Sequence, residues 1–197
     1  MDSSIALFPL NAVLFPQGIL PLKIFEARYL DMVANSLKHE VPFGICRIVS
    51  GKEVGEAPEV EQVGTLANII NWDRRDDGLL EIVAQGQQRF RIISCDVHKD
   101  QSLHAEIELI EPESDCEIPR QYQILRNILA QIQSQMEATL PGYSFDPESA
   151  VSLSYRLSEL LPVQGGIKQA LLEMDNPVHR LEKIALILSS IDSTIVA

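Results

Sequence analysis

Residues 7–33 read LFPLNAVLFPQGILPLKIFEARYLDMV, and the three prolines in that run limit what it can become. Each fixes φ and lacks a backbone donor, so Pro9, Pro16 and Pro21 belong at strand ends, sheet edges or turns. Gly18, between the apolar runs, marks a turn. The pattern predicts a short strand, a turn, a second short strand, and then a helix from near Phe25. Phe25, Tyr29, Met32, Val33 and Leu37 recur at helical spacing and give that helix one apolar face. Glu26 falls in its first turn, where a negative charge suits the helix dipole. Local propensity would not order so many kinks and large apolar side chains. Tertiary packing must do so, and the stretch reads as structural.

The following hundred residues continue in short strands. Residues 41–49 (VPFGICRIV) are bounded by turn formers and rich in β-branched side chains. Residues 50–62 are polar, with two glycines and a proline, and read as an exposed acidic loop. Residues 63–72 (VGTLANIINW) resume a strand, and Asp77-Gly78 carries the hairpin-turn signal before the partner strand at 80–84. Gly86 interrupts, and residues 89–93 form another strand. Leu103, Ala105, Ile107 and Leu109 alternate with His104, Glu106 and Glu108, giving one buried and one wet face. Strands this short, with frequent turns and one early helix, predict a small barrel or folded-over sheet.

From 111 to 119 the chain turns acidic and proline-bounded (EPESDCEIP), and beyond it the period becomes helical. Leu125, Ile128, Leu129, Ile132 and Met136 stripe a helix over 119–139. Asp146-Pro147 is a cap followed by proline, predicting a helix that runs to Leu161 and stops at Pro162. A short helix over 167–174 follows Gly165-Gly166. Asn176-Pro177 starts a last one, striped by Leu181, Ile184, Ala185, Leu188 and Ile191. The predicted division is a β-domain over 1–111, an acidic linker over 112–121 and a helical bundle over 122–197, an α+β chain.

Charge excludes several functions. Asp and Glu outnumber Lys and Arg by 28 to 16, a net charge of −12, with the excess in both halves. Such a surface lacks the basic footprint that nucleic acid requires and disfavours an anionic membrane. No apolar run approaches the roughly 18 residues of a membrane span, and no signal-peptide pattern opens the chain, so a cytoplasmic protein is expected. Cys46, Cys95 and Cys116 are scattered and odd in number, which fits free thiols rather than a disulfide framework.

The order F-P-L (Phe8 to Leu10), V-L-F-P-x-G (Val13 to Gly18) and L-P-L-x-I-F-E-x-R-Y-x-x-M-V (Leu20 to Val33) resembles the start of the N-terminal domain of Lon-type proteases. The likeness continues through Val63-Gly64-Thr65-x-Ala67 and through Asp77-Gly78 to Gly86-x-x-Arg89-Phe90-x-Ile92. It ends on Leu161-Pro162, Lys168-Gln169 and Arg180-Leu181-Glu182, so it covers nearly the whole chain. What it implies is a PUA-like pseudo-barrel followed by a helical bundle. It also implies a free-standing form, since the sequence stops where the ATPase of a full Lon would begin. In that family this region is implicated in substrate recognition and assembly.

The residues themselves offer no catalytic chemistry. No G-x-x-x-x-G-K-[ST] phosphate loop occurs, and Gly165-Gly166-x-Lys168 is too short to imitate one. The family's Ser–Lys dyad belongs to a peptidase domain absent here, so it is not carried over to Ser189 or Lys183. Cys95 and His98 have a ligand-like spacing, but structural zinc needs four ligands, and Cys46, Cys116, His39, His104 and His179 stand singly. The many carboxylates read as solvated. No enzyme activity, cofactor or metal is expected.

Trp72, beside Asp73, Arg74 and Arg75, reads either as a contact anchor or as an edge tryptophan covering the core, since Trp and Arg are enriched at interface hot spots. Glu26 and Arg28 read as a partner-binding pair or as a structural ion pair, the second being the ordinary role at element ends. Pro16, Gly18, Pro21, Tyr29, Gly64, Gly78, Arg89 and Phe90 are the remaining motif positions, taken as structural. The function expected is a non-catalytic module that binds other proteins or unfolded peptide segments, with self-association compatible with the family's role in assembly. The alternative is a small-molecule sensor or enzyme using a pocket in the pseudo-barrel.

Overall fold

The fold comes from a computed structural model that describes residues 4–74, 79–136 and 146–195. The chain divides into two compact units, Met1–Pro112 and Glu113–Ala197.

In the first unit the elements run β1 (Ser4–Leu10), β2 (Ile19–Ile24), α1 (Ala27–His39), β3 (Phe43–Ser50), β4 (Glu59–Val60), β5 (Val63–Arg74), β6 (Leu80–Val97) and β7 (Leu103–Leu109). Among the described residues the sheet has seven strands in the order β1-β7-β6-β5-β3-β4, with β2 paired to β6. All pairings are antiparallel except β1 with β3, where Leu7 lies opposite Gly44 and Leu10 opposite Arg47. That parallel seam joins the two ends of the path β1-β7-β6-β5-β3 into a ring. Leu7 shows why β1 sits there, because it pairs Gly44 on one side and Leu103 on the other and is fully buried.

Glycines make the ring's interior close-packed. A Cβ on Gly64 would lie 2.6 Å from the Phe90 ring and 2.6 Å from Cys46 Sγ, and one on Gly44 would lie 2.7 Å from the same ring. The V-G-T and R-F motifs therefore fit together: Gly64 is opposite Phe90 across β5 and β6, and the phenyl ring fills the space the missing side chains leave. Gly86 does not interrupt a strand as the sequence suggests. It lies inside the continuous β6, where a Cβ would come within 2.1 Å of the Phe15 carbonyl oxygen. The turn at 15–18 docks there, with Gln17 N–H donating to Gly86 O and Gly86 N–H to Gly18 O. Gln17, following Pro16, takes the positive φ of 61° that this turn demands.

Helix α1 begins at Ala27, two residues later than the apolar spacing predicts. Glu26 is extended (φ −85°, ψ 138°), and its carbonyl accepts from the Tyr29 and Leu30 N–H groups. Phe25 is thus left outside the helix and 64% exposed. Tyr29, Met32 and Val33 keep the buried face, while Leu37 is half-exposed. The acidic loop after β3 contains the short strand β4, which pairs Ile48 with Val60.

The second unit holds a 3-10 turn (Arg120–Tyr122) and α2 (Gln123–Met136), α3 (Ala150–Leu160), α4 (Gly165–Leu172) and α5 (Pro177–Ile195). Asn176 caps α5 as its Asn-Pro start predicts, accepting from Val178 and His179 N–H. Helix α3 starts later than Asp146-Pro147 suggests: Ser149 is its cap, its side chain accepting from Ser152 N–H at 2.9 Å. Helix α4 includes both glycines.

The acidic stretch read as a linker is built into this unit. Glu113 is 2% exposed at its side chain and meets the fully buried Arg180 through both carboxylate oxygens, at 2.5 and 3.0 Å. Tyr155 donates its hydroxyl to the same carboxylate, and the guanidinium lies 4.1 Å over the Tyr155 ring. Arg180 also donates to Ser154 Oγ and to the Leu171 and Met174 carbonyls. One ion pair therefore ties the segment entering the unit to α3, to the end of α4 and to α5.

Candidate functional site

The short reach from β2 into α1 places three motif residues together. Arg28 points inward with 4% of its side chain exposed and pairs with Glu26 at 3.0 Å. Its guanidinium donates to Gln101 O at 2.5 Å and to Glu53 O at 3.4 Å, and it lies 4.6 Å from the Tyr29 ring centre. Burial pushes the Tyr29 phenol up to about 12, against the pull of the Arg28 charge, with Glu26 and Glu53 adding to the rise. Glu53 accepts from Asn11 N–H, and Gln101 Oε1 accepts from Ala57 N–H. Arg28 thus fastens the acidic loop and the β6–β7 turn to the start of α1. So little of it is exposed that it presents no face to a partner.

Beside this knot lies a groove of about 160 Å³, lined by the apolar Phe8, Leu10, Leu22, Ile24 and Tyr29 and by the charged Lys23, Glu26 and Glu53. The Phe8 and Tyr29 rings in its lining sit 4.4 Å apart. Phe25, displaced from the helix, is a large aromatic left open to solvent at its rim. Sequence periodicity assigns Phe25 to a helix face and so misses it. The signal present in the sequence was its place between β2 and the charged Glu-Ala-Arg start.

Strand register decides where Trp72 belongs. Leu22, Ile82 and Trp72 form one row across β2, β6 and β5, and Ile24, Leu80 and Arg74 form the next. Directly opposed residues share a face, so Trp72 lies on the apolar side, in line with an Ile82 that is 1% exposed, yet is itself 56% exposed. Lys23 and Glu81 pair at 3.8 Å on the other face, in the row with Asp73. Trp72 extends the core's surface and also offers it to solvent. Arg74 ends β5, whereas Arg75 and Gly78 lie outside the described residues. Among the described strands β2 pairs on one side alone, and Pro21 removes a donor midway along it.

The remaining motif residues hold the frame. Arg89 is buried opposite Thr65, whose hydroxyl donates to Leu14 O at 2.6 Å. Cys46 is buried, and burial pushes its thiol far up, while Cys95 and Cys116 are exposed. Among the described residues no group of three or more His, Cys, Asp or Glu side chains gathers where a metal could sit.

Two clusters escaped the sequence reading. One is the Glu113–Arg180 pair. The other is a stack of His98 on His104, with ring centres 3.9 Å apart and planes 5° from parallel. A second cleft, of about 420 Å³, opens between β1 and α1, with Asn35, Ser36 and His104 on its wall.

This sheet-and-helix arrangement is that of Lon N-terminal domains. Residues 4–190 match the model of the ATP-dependent protease La (LON) substrate-binding domain, and the chain belongs to that family. The Lon N-terminal domain protein from Xanthomonas campestris is 31% identical and superposes with a TM-score of 0.77, covering 93% of this chain and 97% of that one. The N-terminal domain of the Mycobacterium avium complex Lon protease shares the fold at a TM-score of 0.65 and 15% identity, over 94% of this chain and 98% of that one. Lon protease 2 of Herpetosiphon aurantiacus is 26% identical over 189 residues, 91% of this chain. The chain spans 23% of that protein's length.

Proposed function

We propose that this chain is a non-catalytic recognition module that captures exposed apolar segments of other proteins, with Phe25 and the groove beside it as the contact face. The observation that carries the reading is Phe25 itself, a 64% exposed phenyl at the rim of a groove walled by Phe8, Leu10, Leu22, Ile24 and Tyr29. Exposed aromatics beside apolar pockets are the usual anchors of protein contacts. Trp72, with Arg74 and Arg75, is a second contact candidate on the same unit. Pro21 weighs against strand addition at β2, so a groove is the better mode than edge pairing. Family membership supports protein partners over nucleic acid or membrane, as does the net charge of −12. Among the described residues no helix is long and apolar enough to cross a membrane. The PUA-like kind of barrel and the helical bundle belong to the same proposal, supported by the ring of strands and by the helices packed on α3, and a cytoplasmic location is proposed with them.

The test uses a reduced, carboxymethylated protein as unfolded ligand. Trp72 is the chain's single tryptophan, so its emission reports the strand unit directly. Phe25→Ser should weaken binding about tenfold, a loss on the scale of one anchor, with no change in melting temperature. Equal affinity in the variant would reject the groove.

The cleft beside His104 favours a second reading, a small uncharged ligand held by Asn35 and His104. A screen for ligand-induced melting shifts discriminates, since a bound molecule raises the melting temperature and an empty cleft does not respond.

A further inference from the structure

His98 follows the last residue of β6 and His104 is the second of β7, so their stacked rings clamp the turn at 98–102. Inside the turn His98 N–H donates to Ser102 O, Gln101 N–H donates to His98 O, and Asp100 Oδ1 accepts from both Ser102 N–H and its hydroxyl. Gln101 takes a positive φ of 66°, a conformation that a non-glycine residue holds when its surroundings fix it. Two bonds leave this residue. Its carbonyl accepts from Arg28, and its side-chain oxygen accepts from Ala57 N–H. Arg28 also donates to Glu53 O, and Glu53 lines the groove. The histidine stack, the turn and residues 53–57 are thus linked in one continuous chain of contacts.

We propose that the His98–His104 stack is an acid-sensitive latch: with at most one ring charged it holds Gln101 against Arg28 and Ala57, and with both charged the rings part, Gln101 releases both, and the loop loosens at Ala57, next to the groove-lining Glu53. The regulatory meaning rests on the groove being the recognition face.

The groups facing the stack set its response. From the turn come Asp100 and the exposed Lys99. From β6 comes Asp96, the cross-strand partner of His104. From β7 comes Glu106, which accepts from Ser94 Oγ. β1 offers the uncharged Ala6 opposite His104, and α1 offers Met32, Asn35 and Ser36 along the cleft. Asp100 favours a single imidazolium, on His104. A second places like charges at stacking distance, where partial exclusion of water strengthens the repulsion. Burial holds the His104 imidazole below its usual range, the His98 charge adds to this, and Asp100 opposes it. A histidine lowered in the folded state stabilises the fold above its ordinary pKa of about 6.5 and loses that contribution as pH falls below it. The latch therefore opens on acidification.

The experiment is amide hydrogen exchange on the ¹⁵N-labelled full chain between pH 7.5 and 5.0, corrected for intrinsic rates. Protection at the Ala57 amide should fall about tenfold across that range, the scale of local opening driven by one unfavourable charge pair, while the Ile45 amide in β3 keeps its protection. His98→Phe retains a ring in the stack without a charge, and His98→Asn removes the ring at an exposed position. Both should abolish the pH response. A flat wild-type profile overturns the latch, as does a pH response that survives in both variants. Exchange needs no ligand, so failure here leaves the Phe25 binding test standing, and failure of that test leaves this one intact.

Discussion

Glu113→Ala should be among the most damaging single changes in the helical unit, although Glu113 lies in a stretch that looks like solvated linker. In the wild type the carboxylate takes two guanidinium bonds from Arg180 and one from Tyr155, and both ends of the pair are buried, at 0% and 2% side-chain exposure. Truncation leaves a guanidinium in the interior with no counter-charge, and breaking a buried pair in this way costs about 3–5 kcal/mol. The surface pair Lys23–Glu81, at 64% and 37% exposure and 3.8 Å, makes the contrast, for such pairs contribute about 0.2–1 kcal/mol. Urea unfolding followed by far-UV circular dichroism reads the helices, while Trp72 emission reads the strand unit. With a slope of about 2–3 kcal/mol per molar urea, the helical midpoint should fall by roughly 1–2.5 M. Replacing the pair together, as Glu113→Leu with Arg180→Met, should recover much of the loss, because no lone charge is then buried. A Glu113→Ala loss below about 1 kcal/mol would refute the reasoning, placing this pair with surface bridges.

Further outcomes follow from single positions. Gly64→Ala puts a methyl 2.6 Å from Phe90 and Cys46 and 2.7 Å from the Ile45 carbonyl, and should lower stability by about 1–3 kcal/mol in a thermal melt. Glu40 ends α1 in the left-handed region at φ 54°, so Glu40→Gly should raise stability by about 0.5–1 kcal/mol in the same assay. The Tyr29 phenol is raised to about 12, so its contribution is complete below pH 10 and is lost as pH climbs through 12; absorbance at 295 nm should show a phenol ionising about two pH units late that Tyr29→Phe removes.

What the sequence reveals here is local and what it hides is long-range. Asn176-Pro177 specifies a helix start through contacts within three residues, and α5 begins there. The alternation from Leu103 to Leu109 carries the faces of β7 in the same way. Gly64 and Phe90 are legible as motif letters, but their shared purpose shows only when β5 and β6 are laid side by side. Helical spacing places Phe25 in α1 because periodicity cannot see that Glu26 is extended, and the extended residue is what leaves the ring outside the helix. Glu113 looks like one carboxylate among several because its partner lies 67 residues away. The histidine stack needs the β6–β7 turn to bring its members together, and neither imidazole alone carries that information.

The parallel seam between β1 and β3, with β7 on the other side of β1, also sets an order of events during synthesis. Leu7 needs both Gly44 and Leu103 as neighbours, and the second arrives roughly a hundred residues later. At ~5–20 residues per second a ribosome takes roughly 5–20 s to supply it. For that interval one edge of β1 waits without its antiparallel partner, an opening that chaperones or mispaired strands can occupy. The ring therefore has a last strand in time, and β7 is that strand.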